Sequence, residues 1–152
     1  MKTIHAWLDE YSESHQHPVN KIIHWVCVPL IAFSLLGILW SLPFLNIHFP
    51  VYLNWSILFY LFSLSFYFIL SWKLALGTVV LASVVFCIFF WLEPVISIFW
   101  LSSSIFILAW IGQFIGHHIE GKRPSFYRDV KFLLIGPLWL LGFIYRKLDI
   151  AY

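Results

Sequence analysis

Trp110-Ile111-Gly112-Gln113-Phe114-Ile115-Gly116-His117-His118-Ile119-Glu120 closes a long apolar run and leads into a polar, basic one. Read as a helix, Gln113, His117 and Glu120 fall at i, i+4 and i+7 and share one face. An amide, an imidazole and a carboxylate at the mouth of a membrane helix are costly unless they are paired or bound. Whether this helix crosses a membrane, and what its polar face meets, therefore bear on both fold and function.

The surrounding chain answers the first question. Of 152 residues, 62% are hydrophobic, 21% aromatic and only 11% charged, whereas a soluble domain carries about 25% charged residues. Mean hydropathy is +0.90. The apolar runs are continuous and of membrane length, unlike the alternating segments of about 10 residues in a transmembrane barrel. The expected fold is an all-α integral membrane protein, a single domain over residues 1–152. Four spans are expected near residues 21–40, 51–70, 74–92 and 95–116. A further apolar piece, 132–145, contains Gly136, Pro137 and Gly142. It falls short of the about 20 residues a span needs, so it is expected to be re-entrant or interfacial, with a fifth span as the alternative.

The N-terminal segment differs in kind. Ile4, Trp7, Leu8 and Tyr11 form an apolar stripe at helical spacing, so residues 3–14 are expected to make a short amphipathic helix on the membrane surface. Residues 14–21 read as a polar hinge containing Pro18. With Asp9, Glu10 and Glu13 and no apolar central region, this segment does not read as a secretory signal. Cys27 and Cys87 lie in apolar runs and read as packing residues rather than as a disulfide.

Charge sets the topology. Lys2, Lys21, Lys73, Lys122, Arg123, Arg128 and Lys131 all fall on one side of a four-span arrangement, and the two opposite loops hold no Lys or Arg. The positive-inside rule then places both termini in the cytoplasm, with the membrane a bacterial inner membrane or, in a eukaryote, the endoplasmic reticulum. Of seven histidines, His15, His17, His24, His117 and His118 gather near the cytoplasmic ends of the first and fourth spans. His5 lies further out on that side, and His48 lies opposite.

Neutral imidazole is the commonest metal ligand and suits iron, zinc, copper and nickel. Asn20, Gln113 and Glu120 would then orient the ligands as hydrogen-bonding supports. Lys122, Arg123 and Arg128 could hold the carboxylate of an acidic lipid, with the aromatic helices taking its acyl chain. The plainer readings are a polar anchor for any single histidine and a topology signal for the basic run. Recurrence of the i, i+4 pattern in Asn20/His24 and Gln113/His117 favours a cluster. Two other functions fit the same residues: a b-type haem electron carrier with His24 and His117 as axial ligands, or a non-enzymatic lipid-binding or scaffold protein. Membrane lipids are expected partners and nucleic acid is not.

Taken together, Tyr11-x3-His15-x2-Pro18-x-Asn20-x3-His24-x4-Pro29 and Trp110-x2-Gln113-Phe114-x-Gly116-His117-x2-Glu120-x3-Pro124 resemble the Mpo-type membrane family. The fungal member of that family is a 2-hydroxy fatty acid dioxygenase of phytosphingosine breakdown. The likeness extends over nearly the whole chain. It implies an iron(II)-dependent dioxygenase that uses molecular oxygen, without 2-oxoglutarate, to shorten a 2-hydroxy fatty acid by one carbon (α-oxidation). His15, His24 and His117 match motif histidines and are the implied Fe(2+) ligands, with His118 as a fourth candidate. Asn20, Gln113, Glu120 and Pro124 match the remaining polar and structural positions.

Overall fold

Local capping explains where each helix begins and ends. The computed structural model describes residues 2–43, 53–124, 126 and 130–152, and within them the chain forms six α-helices and no strand. Thr3 caps α1 (Ile4–Glu13), its hydroxyl accepting from the Ala6 N–H at 3.3 Å. The stripe read from the sequence, Ile4, Trp7, Leu8 and Tyr11, is the buried face of this helix. Next, α2 (Pro18–Ser41) starts earlier than expected. Pro18 occupies the first turn, where its missing N–H costs nothing, and the His17 Nδ1 accepts from the Val19 N–H at 3.2 Å. The polar hinge therefore shrinks to residues 14–17.

The membrane-length helices follow. They are α2, α4 (Trp72–Leu92) and α5 (Ile98–Glu120), each long and apolar enough to cross a bilayer. The helix before the tight corner, α3 (Trp55–Leu70), is apolar but shorter at 16 residues. The expected start of that span, at residues 51 and 52, lies outside the described residues, as does His48. Ser71 closes α3 and also caps α4, its hydroxyl accepting from the Leu74 N–H at 3.3 Å. The helix that carries the fourth expected span continues to Glu120, as the helical reading of Gln113, His117 and Glu120 requires. Gly121 is the terminator: it adopts the left-handed conformation (φ 70°), and its N–H and that of Lys122 bond back to His118 and His117 carbonyls. Glu120 thereby becomes the last helical residue.

Between α2 and α5 the packing is unusually close, because small residues line the seam. A Cβ on Gly37 would collide with Ser102 Oγ, one on Gly112 would lie 2.7 Å from Cys27 Sγ, and one on Gly116 would collide with Asn20 Oδ1. Ser34, Ser102 and Ala109 are buried on the same two faces. Small side chains let membrane helices approach where lipid offers no hydrophobic drive to associate. The outward faces are the reverse, with Phe62, Trp91, Trp100 and Leu108 largely exposed, as lipid-facing surface requires.

One end of this bundle carries a cap. The last helix, α6 (Phe132–Lys147), buries Phe132, Ile135, Leu138, Trp139, Leu140 and Leu141. Its core neighbours are the α1 stripe, Val28 of α2, and Tyr67, Leu74 and Ala75 from the α3–α4 corner. Phe132 meets Trp7 edge-on, Trp139 Nε1 donates to Ser12 Oγ at 2.8 Å, and Tyr145 donates to the Lys73 carbonyl at 3.1 Å. Thus α1 and α6 pack together across the end where α2 begins and α5 stops.

Gly116→Val should force α2 and α5 apart at Asn20. Thermal unfolding in detergent should show destabilisation of about 1–3 kcal/mol, the usual cost of overpacking.

Candidate metal centre

Three separate pieces of chain supply three buried imidazoles. His15 comes from the linker after α1, His24 from the second turn of α2, and His117 from the last turn of α5. One ring nitrogen from each lies within 4.8 Å of the others. Ring centroids are 4.2 Å apart for His15–His24, 5.0 Å for His15–His117 and 4.9 Å for His24–His117.

The hydrogen bonds fix the tautomers. His15 Nδ1 lies 2.5 Å from the Tyr11 carbonyl, and His24 Nδ1 lies 2.9 Å from the Asn20 carbonyl. A carbonyl can only accept, so both Nδ1 atoms carry hydrogen and donate. Both Nε2 atoms are then bare in the neutral rings, and they face each other at 2.9 Å. Two lone pairs so directed repel unless a cation lies between them. A shared proton is disfavoured at neutral pH. Burial lowers the His15 pKa from 6.5 to about 3, aided by repulsion from His24 and opposed by the Tyr11 carbonyl. His117 adds a third free nitrogen: the backbone at Lys122 engages its ring, while its Nδ1 is buried with no partner among the described residues. This donor set fits a metal ion, with each ring oriented by a backbone group in the manner of metal-bound histidines. It does not fit a haem, because rings 4.9 Å apart and nearly perpendicular leave no gap for a macrocycle between His24 and His117.

Glu120 holds the two halves together. Its carboxylate accepts from the Gln16 N–H at 2.9 Å, the His17 N–H at 2.8 Å and Asn20 Nδ2 at 3.1 Å. It also places negative charge at the start of α2, where free N–H groups point outward. Asn20 Nδ2 reaches the Ser14 carbonyl at 3.3 Å as well, so one amide spans the linker, α2 and α5. Gln113 is buried on the same seam, and its Nε2 has no partner among the described residues.

Other expected residues fall outside this cluster. His118 is exposed and does not join the three rings, because a one-residue step on a helix turns it to another face. His17 is spent on capping α2. Lys122 donates to the Glu13 carbonyl at 2.5 Å and so caps the end of α1. Arg123 is exposed beside an open groove of about 530 Å³ that Phe114, His117, His118 and Lys122 also line. Arg128 lies outside the described residues.

Two aromatic residues escaped the sequence reading as parts of this centre. Tyr11 stacks on His15 with centroids 4.1 Å apart, and Trp139 lies 5.7 Å from His15. Tyr11 is fully enclosed, and burial raises its phenol pKa above the ordinary value. Its position four residues before His15 was a usable signal. Nothing local marked Trp139, which arrives from the far end of the chain.

The 2-hydroxy-palmitic acid dioxygenase Mpo1-like family matches residues 1–148. The chain belongs to this family. The match runs from the start of α1 to just beyond α6, so it takes in the capping helices as well as all three histidines. No match is found among curated proteins or solved structures.

The pH dependence has a definite sign. An unfolded chain protonates His15 near pH 6.5, whereas the folded chain does so only near pH 3. Metal-free protein should therefore lose stability as pH falls from about 6.5 towards 3. His15→Asn should flatten that loss in melting curves recorded across the window. Separately, Glu120→Ala should weaken metal affinity by about 10- to 100-fold in a competition titration, as removal of an outer support commonly does.

Proposed function

We propose that the protein is an iron(II)-dependent membrane dioxygenase that shortens 2-hydroxy fatty acids by one carbon. The observation that carries this reading is the bare Nε2 pair of His15 and His24, 2.9 Å apart, with the unpartnered Nδ1 of His117 nearby. Family membership supplies the chemical class, through the 2-hydroxy-palmitic acid dioxygenase description. With three protein nitrogens, a metal keeps positions open for exogenous ligands, as oxygen-using iron sites require. Iron(II), when bound, supplies a redox-active centre that can use molecular oxygen and chelate a carboxylate together with a 2-hydroxyl.

The residues divide the remaining work. His15, His24 and His117 present neutral nitrogens, and burial keeps His15 unprotonated at physiological pH. Glu120 and Asn20 fix the linker, α2 and α5 in one arrangement, so the three rings need not be gathered when the substrate arrives. Tyr11 and Trp139 wall the centre on the side of α1 and α6 and exclude water there. Arg123, which lines the groove beside His117, would meet the substrate carboxylate, and Lys122 would add charge from its cap position. The reaction balances for one molecule of oxygen: 2-hydroxypalmitic acid gives pentadecanoic acid, carbon dioxide and water.

Four membrane spans, α2 to α5, with the centre and both termini on the cytoplasmic side, accord with the Lys and Arg distribution. In this arrangement α6 stays at that face, because its first turn meets α1 and its last turn meets the α3–α4 corner. A lipid-derived acid would then reach the centre from the inner leaflet with its chain still in the bilayer.

Purified protein reconstituted with iron(II) should consume oxygen and form pentadecanoate when given 2-hydroxypalmitate in air. His24→Ala should reduce that turnover at least 100-fold. Absence of oxygen uptake by wild-type protein with one iron demonstrably bound per chain would remove the proposal.

A further inference from the structure

Gln113 is a buried polar residue to which the hydrogen bonds of the centre assign no task. It lies on the α5 face that carries His117, one turn deeper along the helix, and is 6% exposed. Its Nε2 has no partner among the described residues. The neighbouring contacts fix where it stands against α2. Gly112 abuts Cys27 and Gly116 abuts Asn20, so Gln113 stands level with the turn of α2 that joins His24 to Cys27. Packing alone does not explain an amide here. Beside it the seam holds mostly small residues, with Asn20 and Ile23 against Gly116, and a buried donor with no acceptor costs stability.

The order of groups from α5 into the segment beyond Gly121 matches the order of groups along a 2-hydroxy acid. Arg123 is outermost, at the groove; His117 is next; Gln113 is innermost, towards the apolar middle of the helix. In the substrate the carboxylate is outermost, the 2-hydroxyl follows, and the acyl chain continues inward. We propose that Gln113 Nε2 donates a hydrogen bond to the 2-oxygen of the bound acid. Gln113 is thus the group by which the centre separates 2-hydroxy acids from unsubstituted fatty acids. A site built to pair a substrate hydroxyl rejects the analogue that lacks it, because the protein's own polar group is then left buried and alone. The Gln113 amide already stands in that condition. This inference rests on the dioxygenase reading and adds to it the residue that recognises the defining oxygen.

The test measures binding rather than turnover. Protein loaded with iron(II) and kept anaerobic in detergent is titrated calorimetrically with 2-hydroxypalmitate and with palmitate. The comparison is between wild type, Gln113→Leu and Gln113→Met, the last nearly conserving volume so that at least one variant folds. Iron content and palmitate affinity should stay as in wild type, while the preference for 2-hydroxypalmitate should fall about tenfold, the worth of one hydrogen bond. Retained preference in a folded variant would overturn the assignment. So would loss of iron, or equal weakening of both acids, since either marks a structural role. If wild-type protein itself shows no preference, the dioxygenase reading fails and this assignment fails with it.

Discussion

Gly37, Gly112 and Gly116 bring α2 and α5 close together, and the three-histidine cluster depends on that closeness. His24 and His117 sit on these two helices, and an added methyl group at Gly116 would already displace Asn20. At each glycine a short side chain of the other helix, Ser102, Cys27 or Asn20, packs directly against the backbone, which leaves little room for the helices to shift. At the polar end of the seam a carboxylate takes over. Glu120 binds two N–H groups and an amide from the partner helix and its linker, so the helices are fixed at their mouth as well as along their length.

The third imidazole is held by different means. His15 lies on neither long helix but in the four-residue linker between α1 and α2. Its ring is stacked on Tyr11, bonded to the Tyr11 carbonyl and enclosed by Trp139. Its position therefore depends on α1 lying flat against α6. The amphipathic helix and the short terminal helix thus form one wall of the site. This gives a physical reason for the family match to span the ends of the chain together with the long helices.

Much of this was legible in the sequence because period and charge are strong signals. The α1 stripe, the apolar runs and the shared face of Gln113, His117 and Glu120 all follow from helical spacing. The pairing of the two polar helix ends followed from the distribution of Lys and Arg. What stayed hidden was finer. The close packing of Gly116 against Asn20 depends on the neighbouring helix, which no local pattern shows. His118, a fourth candidate by resemblance, points away from the three rings, since a step of 100° along a helix separates its direction from that of His117. Lys122 was assigned to substrate, and its capping of α1 depends on a contact across the fold that no local pattern encodes. Trp139 was invisible for the same reason.

The placement of the ligands along the chain also bears on biogenesis. His15 and His24 are nine residues apart, and their nitrogens meet through a single turn at the start of α2. The contact between those two rings is local in the chain, although the wall that holds His15 is completed only by Trp139 of α6. His117 and the Glu120 clamp arrive only with α5, after both intervening apolar helices have been made. A complete three-nitrogen site therefore cannot exist on a partly inserted chain, so metal held by all three rings marks a bundle whose helices have already found one another.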